Sequence, residues 1–226
     1  MAAKKRYRRL AVLASGGVDS ACLLEWAANQ AKSKVFPVYV SFGLRWEAGE
    51  MRALRNFIRA LGNKQIAAPT VLQLPATDLY NGHFSITGNR VPGGRSRDAA
   101  VYLPGRNLLL LSKAAVFAAL KDMDGICIGT LSANPFSDAS TQFFGSFEKL
   151  ASIALGRKLK ILAPFRRMTK ERLIRRYRHL PLNLCFSCLN PQSTGEACKK
   201  CNKCVEWKKA ERRARSSPLI SSAVKR

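Results

Sequence analysis

The feature that most constrains this chain is Ser15-Gly16-Gly17-Val18-Asp19-Ser20, set directly behind the apolar run Arg9–Ala14. A short continuous apolar run reads as a buried parallel strand, and two glycines after it read as a tight turn into a helix. Glycine lets the main chain come close to an anion, and the unpaired N–H groups at a helix start favour phosphate. Ser15 and Ser20 add hydroxyl donors. Asp19 is out of place beside phosphates unless it meets a cation, which points to magnesium.

The rest of the chain repeats the strand–helix alternation. Val18–Ala31 reads as a helix, Val35–Phe42 as a strand despite Pro37, Glu47–Leu61 as an amphipathic helix stopped by Gly62, and Thr70–Leu74 as a strand. Asn107–Leu120 reads as a helix, Gly125–Gly129 as a buried strand, and Phe143–Leu155 and Lys170–Tyr177 as helices. This order predicts an α/β fold with a parallel sheet sandwiched by helices. Asn81–Asp98 lacks periodicity and reads as a surface loop.

Hydrophobic residues make up 47% of the 226, enough for a buried core. No apolar run reaches the ~20 residues needed to span a bilayer, and no h-region follows the basic start, so a cytoplasmic protein without a membrane partner is expected. Net charge is +25. The excess gathers at Lys4–Arg9, along Arg157–Arg178 and over the tail from Lys199. Such a field attracts polyanions, ATP and RNA alike.

Near the C-terminus lie Cys185, Cys188, Cys198, Cys201 and Cys204. Clustered thiols in a reducing compartment read as metal ligands, and four thiolates on two short loops suit tetrahedral zinc in a closed, structural site. Cys188, Cys198, Cys201 and Cys204 form the expected set. Cys185 is an alternative to Cys188, and an iron–sulfur cluster is the alternative to zinc. Cys22 and Cys127 read as packing residues. Residues 1–180 are expected to form the nucleotide domain, 181–215 the cysteine knuckle with a basic helix over Lys203–Arg215, and 216–226 a frayed basic tail.

The segment Ser15–Ser20 resembles the SGGxDS loop of the PP-loop ATP-pyrophosphatases, which cleave ATP between the α and β phosphates. Lys170, opening a helix, resembles the late phosphate-contacting lysine of that family. Leu103-Pro104-Gly105-Arg106-Asn107 precedes a Leu-rich helix, and there Arg106 can reach a phosphate or a ring while Asn107 can cap the helix. Together with Ile128-Gly129 and the knuckle spacing, these motifs are similar in kind and order to the 7-cyano-7-deazaguanine synthase family.

That resemblance implies an ATP-binding set of Ser15, Gly16, Gly17, Val18, Asp19, Ser20, Gly105, Arg106 and Asn107. It implies catalytic roles for Asp19, Arg106 and Lys170, with Mg2+ and Zn2+ as metals. The substrates would be a deazaguanine carboxylate and ammonia, and the assembly a homodimer. The family's Tyr-Gly-Gln-Arg-His stretch is replaced by Phe42-Gly43-Leu44-Arg45-Trp46, and its Asp-rich substrate segment by Thr130–Ser140. Gly43, Arg45 and Asp138 are the residues there that still match, and Arg45 and Asp138 are the expected substrate contacts. The replacements also allow a paralogue that couples the carboxylate to another amine, on a protein or a small molecule, or that acts on tRNA.

Overall fold

The computed structural model describes residues 6–216. The expected tail beyond Ser216, and Lys4 and Lys5 of the basic start, lie outside the described residues. Five strands form one parallel sheet: β1 (Leu10–Leu13), β2 (Val35–Ser41), β3 (Thr70–Gln73), β4 (Gly125–Cys127) and β5 (Lys160–Leu162), in the order β3-β2-β1-β4-β5.

The helices are α1 (Val18–Gln30), α2 (Glu47–Leu61), α3 (Phe84–Thr87), α4 (Arg106–Leu120), α5 (Thr141–Ala154), α6 (Lys170–Arg176) and α7 (Asn202–Ser216). Strand side chains alternate between two cores, as a pleated strand requires. Leu10 and Val12 of β1 face a core built with α1, α2 and α6, while Ala11 and Leu13 face one built with α4 and α5. The continuous apolar run in the sequence is this double burial. Pro37 pairs in register with Val12, so the interior strand β2 gives up one ladder donor there.

Two elements escaped the periodicity. β5 is too short to show a pattern, and its Ile161 N–H is partly held by Glu148 Oε2 at 2.9 Å. The stretch expected to be a plain loop contains α3, whose N-terminus is capped by His83 Nδ1 accepting from Ser85 N at 3.2 Å. The same stretch is stapled to the knuckle: Gly94 N donates to Lys200 O at 3.1 Å, Asn202 N to Pro92 O at 2.9 Å, and Asn202 Nδ2 to Ser96 O at 2.9 Å. Among the described residues, no helix is long and apolar enough to cross a membrane.

The chain runs outward through β1, β2 and β3, then returns to place β4 on the other side of β1. The direction of winding reverses between β1 and β4. A parallel sheet leaves a crevice at the carboxyl ends of its strands at such a reversal, and ligands bind there.

Candidate functional site

A cavity of about 320 Å³ occupies this crevice. Its floor is the ends of β1, β2 and β4 (Leu13, Val38–Val40, Ile128-Gly129), and the Ser15–Ser20 turn forms one wall. The turn is held by its own hydroxyls. Ser20 Oγ donates to Gly17 O at 2.9 Å and accepts from Ser15 N at 3.2 Å.

Gly16 has φ +76°, and a Cβ there would lie 2.3 Å from the Glu50 carbonyl oxygen. Both the dihedral and the close passage of α2 therefore require glycine. Gly17 caps α1 without any side-chain acceptor for the first helical N–H groups. Those donors, on Val18, Asp19 and Ser20, have no acceptor in their own helix and sit at the cavity wall at the positive end of the helix dipole.

Asp19 and Lys170 meet across the cavity. Lys170 Nζ is 3.6 Å from Asp19 Oδ2 and 2.7 Å from Glu206 Oε1, and Glu206 Oε2 also holds Lys203 at 2.7 Å. Burial works against the Lys170 charge, but Asp19 and Glu206 outweigh it, so the amine is held protonated above its usual range. Burial raises the Asp19 pKa, and Lys170 opposes that rise. Burial likewise works against the Glu206 charge, but Lys170 and Lys203 outweigh it and keep this carboxylate below its ordinary value.

Arg106 and Asn107 come from the start of α4, where Gly105 adopts φ +70°. Both line the cavity. Three buried polar atoms on cavity residues lack a protein partner: Asp19 Oδ1, Arg106 Nε and Thr130 Oγ1. An unpaired buried polar atom costs about 1–3 kcal/mol, so a carboxylate oxygen, a guanidinium N–H and a hydroxyl left open around one cavity fit a ligand carrying both anions and a cation.

Arg45 and Asp138 do not line this cavity. Arg45 Nη1 donates to Thr87 O at 3.1 Å. Asp138 is buried beneath the start of α4, where its Oδ2 accepts from Asn107 N at 2.9 Å and its carbonyl from Asn107 Nδ2 at 3.2 Å. A carboxylate at a helix N-terminus is electrostatically favoured. It caps α4 and fixes Asn107.

Other cavity residues carried no motif signal. Glu47 accepts from Ser41 Oγ at 2.6 Å and Phe42 N at 2.7 Å, closing the β2–α2 turn. Glu50 accepts from Tyr39 OH at 2.7 Å, and burial, against the pull of Arg106 and Tyr39, pushes its pKa up to about 7. In sequence both read only as acids in the first turn of a helix. Leu44 and Trp46, which stand where the resembled family has polar residues, are buried in core, with Trp46 against Phe84 at 6.2 Å between ring centroids.

The Sγ atoms of Cys188, Cys198, Cys201 and Cys204 all lie within 4.8 Å of one another. Four thiolates bound at about 2.3 Å to one tetrahedral ion stand roughly 3.8 Å apart, so the set fits a metal with little movement. Backbone donors already point at the sulfurs: Leu189 N to Cys201 Sγ at 3.3 Å, Cys198 N to Cys188 Sγ at 3.3 Å, and Cys201 N to Cys198 Sγ at 3.4 Å. Such N–H···S contacts favour thiolate and orient it toward the ion. Cys185 lies outside the cluster in the α1–α6 core, where burial, then Asp19, pushes its thiol up to about 12.

The knuckle also reaches the cavity. Phe186 N donates to Gly16 O at 2.9 Å, and residues Phe186–Leu189 line one side.

The architecture is similar to that of the U34-tRNA thiolase NcsA from Methanococcus maripaludis, described with its 4Fe-4S cluster. The TM-score is 0.51 at 12% identity over 77% of this chain and 58% of that one, a likeness of fold alone. The sequence likeness is closer. The chain is 33% identical over 225 residues to the 7-cyano-7-deazaguanine synthase of Syntrophobacter fumaroxidans, covering 91% of this chain and 92% of that protein. It is 32% identical over 218 residues to the synthase of the same name from an Anaeromyxobacter species, covering 90% and 91%. The sequence profile of the family described as "Queuosine biosynthesis protein QueC" matches residues 9–214. With the strand–turn–helix cavity and the four-cysteine cluster in place, this chain belongs to the queuosine biosynthesis protein QueC family, and like its synthase relatives it is an enzyme.

Proposed function

We propose that the chain is an ATP-dependent ligase that converts 7-carboxy-7-deazaguanine to 7-cyano-7-deazaguanine with ammonia. The observation that carries this reading is the convergence of Asp19 Oδ1, Arg106 Nε and Thr130 Oγ1, all buried and unpartnered, on a cavity walled by the uncapped start of α1. The ATP phosphates lie along Ser15–Ser20, with Gly105, Arg106 and Asn107 at the nucleotide. Asp19 would hold Mg2+, which supplies charge neutralisation between the phosphates when bound.

The substrate carboxylate oxygen attacks the α-phosphorus and pyrophosphate leaves. Ammonia then attacks the acyl carbon, AMP leaves with its electron pair, and one proton is released to give the amide. In a second round the amide oxygen attacks the α-phosphorus of another ATP, releasing a second pyrophosphate, and loss of AMP and the two amide protons then leaves the nitrile. Lys170 and Arg106 stabilise charge on the departing pyrophosphate. The α1 amides align the α-phosphorus without reorganising during the reaction.

The four-cysteine cluster holds Zn2+ in a closed structural site. Support for a homodimer comes from exposed apolar residues in a helical stripe: Leu108, Val116 and Leu120 on α4, 44%, 50% and 79% exposed, and Leu150 and Ile153 on α5, 64% and 79%. Leu120→Glu with Ile153→Glu leaves a monomer by light scattering if that face is the interface, and an unchanged mass rejects it.

The test of the reaction is incubation of the purified protein with ATP, magnesium, ammonia and the 7-carboxy compound. The expected products are AMP, pyrophosphate and the nitrile, read by mass spectrometry. ADP in place of AMP, or no consumption of the acid, rejects the proposal.

A further inference from the structure

A second cavity, about 640 Å³, opens where α6 and α7 pack together. Its wall combines apolar residues, among them Ile174, Leu180 and Trp207, with the cations Arg175, Arg178 and Arg215 and one acid, Glu211. Trp207 also lines the first cavity, so the two cavities share one indole.

The carboxylates of these helices are already engaged. Glu171 pairs with Arg213 at 3.3 Å, Glu206 with Lys170 and Lys203, and Glu211 with Arg215 at 2.7 Å. Arg175 and Arg178 have no ion pair among the described residues, and Arg175 Nε is buried without an acceptor. A buried guanidinium N–H left open costs free energy that an acceptor from outside recovers.

The same helices carry further positive charge. Arg172, Arg176, Lys208, Lys209 and Arg212 are all exposed on the same two helices. An apolar slot edged by guanidinium groups suits a flat ring joined to a phosphate, and the extra cations exceed what one nucleotide needs. A chain of phosphates with unstacked bases matches both features.

We propose that the α6–α7 face binds single-stranded nucleic acid, with one base taken into the cavity beside Trp207 and flanking phosphates on Arg175 and Arg178. The proposal does not depend on the deazaguanine reading, because binding is measured without turnover.

The test is fluorescence anisotropy of labelled single-stranded RNA and DNA oligonucleotides of the same sequence, titrated with the full-length protein over a range of KCl. Arg175→Glu with Arg178→Glu is compared with Arg55→Glu and Arg59→Glu, two exposed arginines of α2 that carry the same charge change. Arg178→Ala alone, at an exposed residue of the cavity wall, covers the case in which the double variant is misfolded.

The expected result is at least a tenfold loss for the Arg175–Arg178 pair against less than twofold for the α2 pair. The log–log salt slope falls by about 1.4 for two lost phosphate contacts at roughly 0.7 each. An oligonucleotide with abasic positions also binds more weakly than the intact one. Binding of either RNA or DNA with this pattern supports the site, and a difference between them assigns the role of the 2′-hydroxyl. Equal losses for both arginine pairs reduce the attraction to net charge and overturn the proposal. Equal binding of intact and abasic oligonucleotides overturns the base-binding cavity.

Discussion

Lys170 Nζ stands 3.6 Å from Asp19 Oδ2, joining the first residue of α6 to the first turn of α1 across the cavity. The ammonium is thereby held beside the uncapped start of α1, where the proposed reaction would develop charge on departing pyrophosphate, while the second Asp19 oxygen has no protein partner. Lys170→Ala is expected to lower the rate of AMP formation by roughly 10²–10³-fold, the size seen when one preorganised electrostatic donor is removed. Single-turnover measurement at saturating ATP checks it, and a rate within threefold of the unchanged protein removes Lys170 from the chemistry.

Gly16→Ala combines a left-handed dihedral with a Cβ 2.3 Å from a backbone oxygen of α2. Neither partner can yield without moving the phosphate turn. A destabilisation of about 1–3 kcal/mol is expected, together with loss of ATP binding. Urea unfolding and nucleotide titration on the same variant check the two effects separately.

Glu50 gives the protein without ligand a pH dependence of known sign. Its folded pKa, about 7, lies above the ordinary 4.5 because burial disfavours the anion. The folded state therefore holds a proton that the unfolded chain has lost over that window. The stabilisation is complete below about pH 4.5 and is lost as pH rises through about 7, with a slope of roughly 1.4 kcal/mol per pH unit between the two. Glu50→Gln is expected to flatten urea-unfolding stability between pH 5 and 8, and an unchanged slope contradicts the assignment.

Metal removal tests the knuckle. Elemental analysis is expected to give about one zinc per chain, and Cys201→Ser to lose it. The knuckle carries Phe186, which holds Gly16 O at 2.9 Å, so chelation is expected to lower ATP affinity as well as to expose residues 181–216 to protease. Iron with visible absorbance would replace zinc by a cluster. Intact ATP affinity after complete chelation would separate the two sites.

How much of the site was legible follows the range of the interactions involved. The strand–turn–helix at the cavity wall was readable because its strand, glycines, hydroxyls and helix start are contiguous from Leu10 to Ser20. Glu50 was not, because an acid in the first turn of a helix is ordinary, and it becomes a site residue only where α2 crosses Gly16. Arg45 and Asp138 show the converse. Their residue types fit substrate contacts, yet the geometry gives one to the Thr87 carbonyl and the other to the start of α4. The loop over residues 81–98 has no periodicity to read, and its order comes from bonds to Lys200 and Asn202 far along the chain.

By itself, the sequence determined the α/β class, the glycine turn into the first helix and a cluster of four cysteines with metal-ligand spacing, because each is specified by neighbouring residues through dihedral preference, strand burial and ligand spacing. The tertiary structure alone decided that the knuckle braces the turn between β1 and α1, and that Asp19, Arg106 and Thr130 leave open groups around one cavity. Those outcomes depend on which surfaces pack and which polar atoms lose water, and no stretch of chain carries that information until the sheet has brought its distant parts together.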